Sequence, residues 1–156
     1  MKIAVIGLGF GDEGKGNIVN YLCSQHPNPL VVRYNGGHQA GHTVVHEGTR
    51  HVFSNFGSGT LQGKPTYWSR NCTVEPIGMM KEYKILYEKK ARPILLYVNP
   101  EAMVTTPYDI QMNIEREAHY GHGTVGVGFG DTIARNLRGY RLFFRDLFYP
   151  KILNEK

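Results

Sequence analysis

The chemistry-bearing residues of this sequence lie in two short glycine-rich segments. The first, Gly9-Phe10-Gly11-Asp12-Glu13-Gly14-Lys15-Gly16, fits the pattern G-x-x-x-x-G-K. In such a loop successive backbone N–H groups turn inward around an anion, the following helix adds positive potential at its N-terminus, and the lysine neutralises phosphate oxygens. The next position of the pattern ordinarily holds Ser or Thr for magnesium, but here it is Gly16, while a carboxylate, Asp12, stands inside the loop. A carboxylate beside phosphates repels them unless a cation lies between or the group takes up a proton, and both arrangements are chemically useful. The plainer reading is a turn that only packs helix on strand.

The second segment is Asn35-Gly36-Gly37-His38-Gln39-Ala40-Gly41-His42-Thr43. His38, His42 and His46 recur every four residues, which on a helix would present a metal-binding face. Gly36, Gly37, Gly41 and the β-branched Thr43-Val44-Val45 oppose a helix, so zinc is disfavoured. His42, between Gly41 and Thr43, reads as a donor held by a loop beside phosphates. His38 and His46 read as solvated loop histidines.

These loops need a scaffold. Lys2–Leu8 is apolar at nearly every position, which predicts a short strand buried on both faces. Residues 17–23 follow with Ile18, Tyr21 and Leu22 on one helical face, closed by Pro27 and Pro29. Residues 30–34 predict a second strand, 43–46 and 51–53 a hairpin around Glu47-Gly48, and 93–98 a third buried strand. Residues 77–92 carry apolar side chains at 79, 80, 83, 86 and 87 with basic residues at the C-terminal end, which predicts a helix. Residues 108–119 and 131–137 predict two more. Lys89-Lys90-Ala91-Arg92 reads as a solvated helix end. The alternation predicts an α/β fold, P-loop-like, with a largely parallel sheet and flanking helices.

Bulk properties narrow the function classes. The chain has 156 residues, enough for one domain, with 41% hydrophobic and 20% charged residues, which excludes wholesale disorder. A net charge of +5 suits anionic ligands such as nucleotides and is too mild to demand nucleic acid. Cys23 and Cys72 are isolated, against a disulfide scaffold or a zinc module. No apolar run approaches the roughly 20 residues of a membrane span, and the start lacks the pattern of a signal peptide. The expected setting is soluble and cytoplasmic.

Gly11–Gly16 and Val31-Val32-Arg33-Tyr34-Asn35-Gly36-Gly37-His38-Gln39-Ala40-Gly41-His42-Thr43 closely resemble the two N-terminal signatures of adenylosuccinate synthetase. The resemblance continues through Ser58-Gly59, residues 71–76, Ile133–Arg135 and Asp146–Phe148. It implies that residues 1–156 are a single partial catalytic domain, the nucleotide-binding N-terminal part of a fold whose members are more than twice as long. The implied activity is ligation of IMP and L-aspartate, with GTP as phosphoryl donor. By that analogy Asp12, His42 and Lys15 are catalytic, and one magnesium ion per site is held by Asp12 and the Gly41 carbonyl. Gly11, Asp12, Glu13, Gly14, Lys15, Gly16, Asn17, Gly41, His42 and Thr43 would contact GTP. Asp12, Glu13, Gly14, Lys15, Gln39, Ala40, Gly41 and His42 would contact IMP, with Thr124, Val125 and Arg135 as further IMP contacts. Arg135 matches an arginine that reaches the nucleotide of the neighbouring subunit, which implies a homodimer.

The departures from the family pattern fall at nucleotide-recognising positions. Gln39 replaces the usual asparagine, and the cluster Gly121-His122-Gly123-Thr124-Val125-Gly126 keeps one threonine and lacks the family's arginine. That pattern suits a viral-type relative that succinylates dGMP with ATP as well as the IMP enzyme. A third possibility is a noncatalytic nucleotide-binding or partner-binding remnant. A fourth, disfavoured by the modest charge, is single-stranded nucleic acid on the basic aromatic stretch from Arg135 to Phe148.

Overall fold

A computed structural model of the chain describes residues 1–121, 123–149 and 151; His122, within the third glycine cluster, lies outside them. In chain order the elements are α1 (Lys15–Gln25), β1 (Val31–Arg33), β2 (His42–His46), β3 (Thr49–Phe53), β4 (Thr66–Trp68), β5 (Thr73–Val74), α2 (Pro76–Glu88), β6 (Leu96–Val98), β7 (Met103–Val104), α3 (Pro107–Tyr120) and α4 (Phe129–Leu137). Strands β1, β4 and β6 form a parallel sheet with β4 central, in the register Val31 to Thr66 to Leu96. Parallel neighbours need long crossovers. The first of these crossovers carries the β2–β3 hairpin and the second carries α2. A second parallel pair, β5 and β7, backs α4. The architecture is the expected α/β arrangement, with helices flanking a parallel sheet.

The core gathers Val44 and Phe53 of the hairpin, Phe56, Trp68, Cys72 and Val74, and Met79 and Leu86 of α2. Cys23 and Cys72 are both buried and unbridged. The hairpin closes through Glu47 and Gly48, both at positive φ, which matches the right-handed twist of its strands. The end of α2 is tied down: Lys89 lies on the surface, but its Nζ donates to the Arg50 carbonyl over 2.7 Å.

The opening run departs from expectation. Residues 2–8 form no strand, and Ile6 and Leu8 are 74% and 94% exposed. An apolar run specifies burial but supplies no partner. Here a cavity of about 750 Å³, lined by Ile3, Val5, Val19, Leu22 and Val31 among others, separates the run from α1 and β1. The face of α1 also differs. Ile18 and Tyr21 are exposed, whereas Gly16 and Cys23 are buried. The helix approaches its neighbours too closely for large side chains: a Cβ at Gly59 would lie 2.6 Å from Cys23 Sγ.

Candidate functional site

The G-x-x-x-x-G-K segment ends where α1 begins. Gly14 caps the helix in a left-handed conformation, and no side chain caps its first N–H groups. An uncapped N-terminus of an 11-residue helix keeps its donors and its positive dipole end available. Lys15 is its first residue, and its ammonium pairs with the Glu13 carboxylate. Gly11 and Asp12 both have positive φ, so the loop doubles back just before the lysine.

His42 opens β2, and α1 packs on that strand. Gly16 makes the approach possible. A Cβ there would lie 2.8 Å from His42 Cβ and 3.3 Å from Ser58 Oγ, so a Ser or Thr at this position would push the histidine away. The missing hydroxyl residue is therefore the space that lets the imidazole reach the loop. Lys15, Gly16, Ala40 and His42 share one cavity of about 300 Å³ with Arg33, Tyr34, Asn35 and Ser58. His42 is half-buried. Burial, followed by the charges of Arg33 and Lys15, lowers its pKa below the ordinary histidine value.

Polar groups with no expected role at the site shape this cavity, Arg33 and Ser58 among them, both inside segments that resemble the family. Arg33 leaves β1, stacks over the Trp68 ring at 4.7 Å, and donates to the carbonyls of Phe56 and Gly37. Ser58 follows a loop held by Glu82 of α2, whose carboxylate accepts from the N–H groups of Ser54, Asn55 and Phe56 and pairs with His51 Nε2 at 3.3 Å. Burial raises the Glu82 pKa, but the bonds from His51, Asn55 and Ser54 outweigh it, and the group stays below the usual range. In the second loop, His38 Nδ1 and Gln39 Oε1 are buried with no hydrogen-bond partner among the described residues. Burial also lowers the pKa of His38. His42 and His46 lie at opposite ends of β2, about 13 Å apart at the rise of a strand, which is too far to share a metal ion.

The remaining expected contacts lie elsewhere. Thr124 Oγ1 donates to Glu117 Oε2 and accepts from Asn113 Nδ2, and Val125 is exposed. Neither lines the cavity of Lys15 and His42. Arg135 acts as a clasp within the chain: Nε and one terminal nitrogen hold Asp109 at 2.8 and 3.0 Å, and other donors reach the Val104 and Tyr140 carbonyls. Of the basic aromatic stretch, Phe144 packs on the core, and Arg145 lies over Phe143 and faces Glu101 at 3.6 Å.

The family model for adenylosuccinate synthetase matches residues 4–156. The chain belongs to the adenylosuccinate synthetase family. Among curated relatives, the adenylosuccinate synthetase of Borrelia turicatae is 32% identical over 98% of this chain and 36% of its own length. That of Helicobacter pylori strain G27 is 33% identical, with 100% and 37% covered. The chain thus spans little more than a third of the curated relatives it matches. Among solved structures, a fully ligated adenylosuccinate synthetase from Plasmodium falciparum shares the fold, with a TM-score of 0.80 at 19% identity over 93% of this chain and 35% of its own. The succinoaminodeoxyadenylate synthetase of cyanophage S-2L, solved with dGMP and dATP, has a TM-score of 0.70 at 25% identity, covering 88% of this chain and 39% of its own.

Membership of the adenylosuccinate synthetase family implies magnesium, and the groups expected to hold it are the Asp12 carboxylate and the Gly41 carbonyl, neither of which lines the cavity of Lys15 and His42. Asp12 is exposed, and its carboxylate pairs with no group among the described residues. No cluster of three His, Cys, Asp or Glu residues able to hold a cation occurs among them either. One free carboxylate with the Gly41 carbonyl fits an ion that takes most of its ligands from water and phosphates. No helix of the described residues is long and apolar enough to cross a membrane.

Proposed function

We propose that this chain supplies the nucleotide-binding and acid–base portion of a GTP-dependent ligase that joins IMP to L-aspartate through a 6-phosphoryl intermediate in purine biosynthesis. The observation that carries the reading is the shared cavity of Lys15 and His42, with Gly16 leaving room for the imidazole. In the proposed reaction the Asp12 carboxylate takes the N1 proton of the purine. O6 then attacks the γ-phosphorus of GTP, forming the O6–P bond as the bond to the β-phosphate oxygen breaks and GDP leaves. His42 donates its N–H to the transferring phosphoryl group, and Lys15 offsets the charge on the phosphate oxygens. The aspartate amine then bonds to C6, and phosphate departs with O6. Asp12 and the Gly41 carbonyl would hold the magnesium ion, which neutralises phosphate charge. The backbone from Gly11 to Asn17, with Gly41 and Thr43, would grip GTP, and Gln39 and Ala40 would face the purine. Thr124, Val125 and Arg135 remain proposed IMP contacts. In Arg135 that role would add to its clasp on Asp109, within the homodimer of the same proposal.

One observation favours a second reading, ATP-dependent succinylation of dGMP: the likeness to the cyanophage enzyme at 25% identity, in a chain where Gln39 departs from the family. A thermal-shift panel of GTP, ATP, IMP and dGMP, each with magnesium, separates them on the wild type and on Lys15→Ala. The expected result is stabilisation of the wild type alone by a triphosphate, with IMP or dGMP naming the acceptor. Equal midpoints for both proteins with every nucleotide would remove the loop from the function.

A further inference from the structure

The structure assigns the Glu13 side chain a role of its own: it is an internal stand-in for phosphate, holding the loop and Lys15 in place until a ligand displaces it. The inference rests on the reading of residues 9–16 as a phosphate loop. A phosphate in such a loop takes bonds from inward-facing backbone N–H groups and from the lysine ammonium. The Glu13 carboxylate takes both kinds here. One oxygen accepts from the Gly9 N–H and the other from Lys15 Nζ. Both side chains are partly exposed, at 24% for Glu13 and 30% for Lys15, so a ligand can reach them. The pair fills the space over the backbone of the loop: a side chain at Gly7 would run into Glu13 Oε2 and Lys15 Nζ, and one at Gly9 would meet Glu13 Oε1 at 3.1 Å. The side chain is a carboxylate, an anion like the phosphate it stands in for.

The single Gly9 N–H cannot serve two anions, and the Glu13 carboxylate fills the space beside the Lys15 ammonium that a phosphate would need. Phosphate binding therefore requires the carboxylate to leave, and the apparent affinity falls by the fraction of chains in which it has left. Glu13 still contributes its backbone to the loop; only its side chain competes. This makes Glu13 a positioning residue that acts through Lys15.

The test measures inorganic pyrophosphate binding by titration calorimetry, with GTP in parallel, on the whole chain as wild type, Glu13→Gln and Glu13→Asp. Glu13→Gln keeps the shape and removes the charge. It should bind pyrophosphate on the order of tenfold tighter while its ligand-free melting temperature falls, because charge-assisted bonds are lost from the empty loop. Glu13→Asp, one methylene shorter, should lie between. A residue that merely supported the loop would lower affinity and stability together. Unchanged or weaker pyrophosphate binding by Glu13→Gln, with wild-type binding intact, overturns the stand-in alone. Absence of binding by all three proteins, to pyrophosphate and GTP alike, overturns the phosphate-loop reading and the stand-in with it.

Discussion

His42 shows how one position combines stability and chemistry. Its pKa is lowered by burial and by the facing cations Arg33 and Lys15, so at neutral pH the ring is uncharged and donates a single N–H. An arriving phosphate would offset both cations and raise that pKa, readying the ring as an acid. The same shift has a sign in folding. Between the folded and unfolded pKa values the unfolded chain binds a proton that the folded chain refuses. The contribution of His42 is therefore complete above about pH 6.5, the unfolded value, and is lost as pH falls through the folded value. His38 acts in the same direction, chiefly through burial. Melting temperatures measured from pH 7.5 to pH 5 should fall, and His42→Gln should flatten part of the fall. A pH profile unchanged by the substitution would mean that the ring is not held neutral.

At the level of elements, the decisive contact is between α2 and the loop leading to Ser58. Glu82 is 6% exposed and satisfies the backbone of Ser54, Asn55 and Phe56. Glu82→Ala would orphan those donors and leave His51 without its carboxylate partner, so unfolding by denaturant should show a loss of about 3 kcal/mol or more. Glu82→Gln should recover part of it. Sequence reading misses this because it scores α2 by apolar period and expects Met80, Tyr83 and Tyr87 on the inner face, while Met80 and Tyr87 are half exposed and a carboxylate takes the inner position. A helical period reveals that a helix exists; which face turns inward depends on its neighbours. The hairpin was legible through its Glu47-Gly48 turn, and α4 through the glycine cluster that precedes it. Strands β4, β5 and β7, of two or three residues each, are too short to show a period. In the site, Lys15, Gly16 and His42 were legible through their spacing. Arg33 and Ser58 fell inside segments that resemble the family without an assigned role, since a polar residue at a strand end or between glycines carries no spacing rule that marks a cavity wall.

The N-terminal run and the first strand leave a row of apolar side chains facing solvent. Ile3, Ile6, Leu8, Leu30 and Val32 are all at least 48% exposed, beside the open edge of β1. Contiguous apolar patches of that kind mark interaction surfaces. The 156-residue chain should bind a hydrophobic-probe dye such as ANS under native conditions, and Ile6→Lys with Leu8→Lys should reduce the signal without lowering the melting temperature. Dye binding indistinguishable from that of an ordinary folded domain would show that the patch is closed in solution. Val5 adds a consequence, since it faces both the large hollow beneath the N-terminal run and the smaller one beside Lys15. Whatever polypeptide seats that run also redraws a wall of the room a nucleotide would enter. Any coupling between the two occupancies would be reciprocal, each altering the other's affinity by an identical factor.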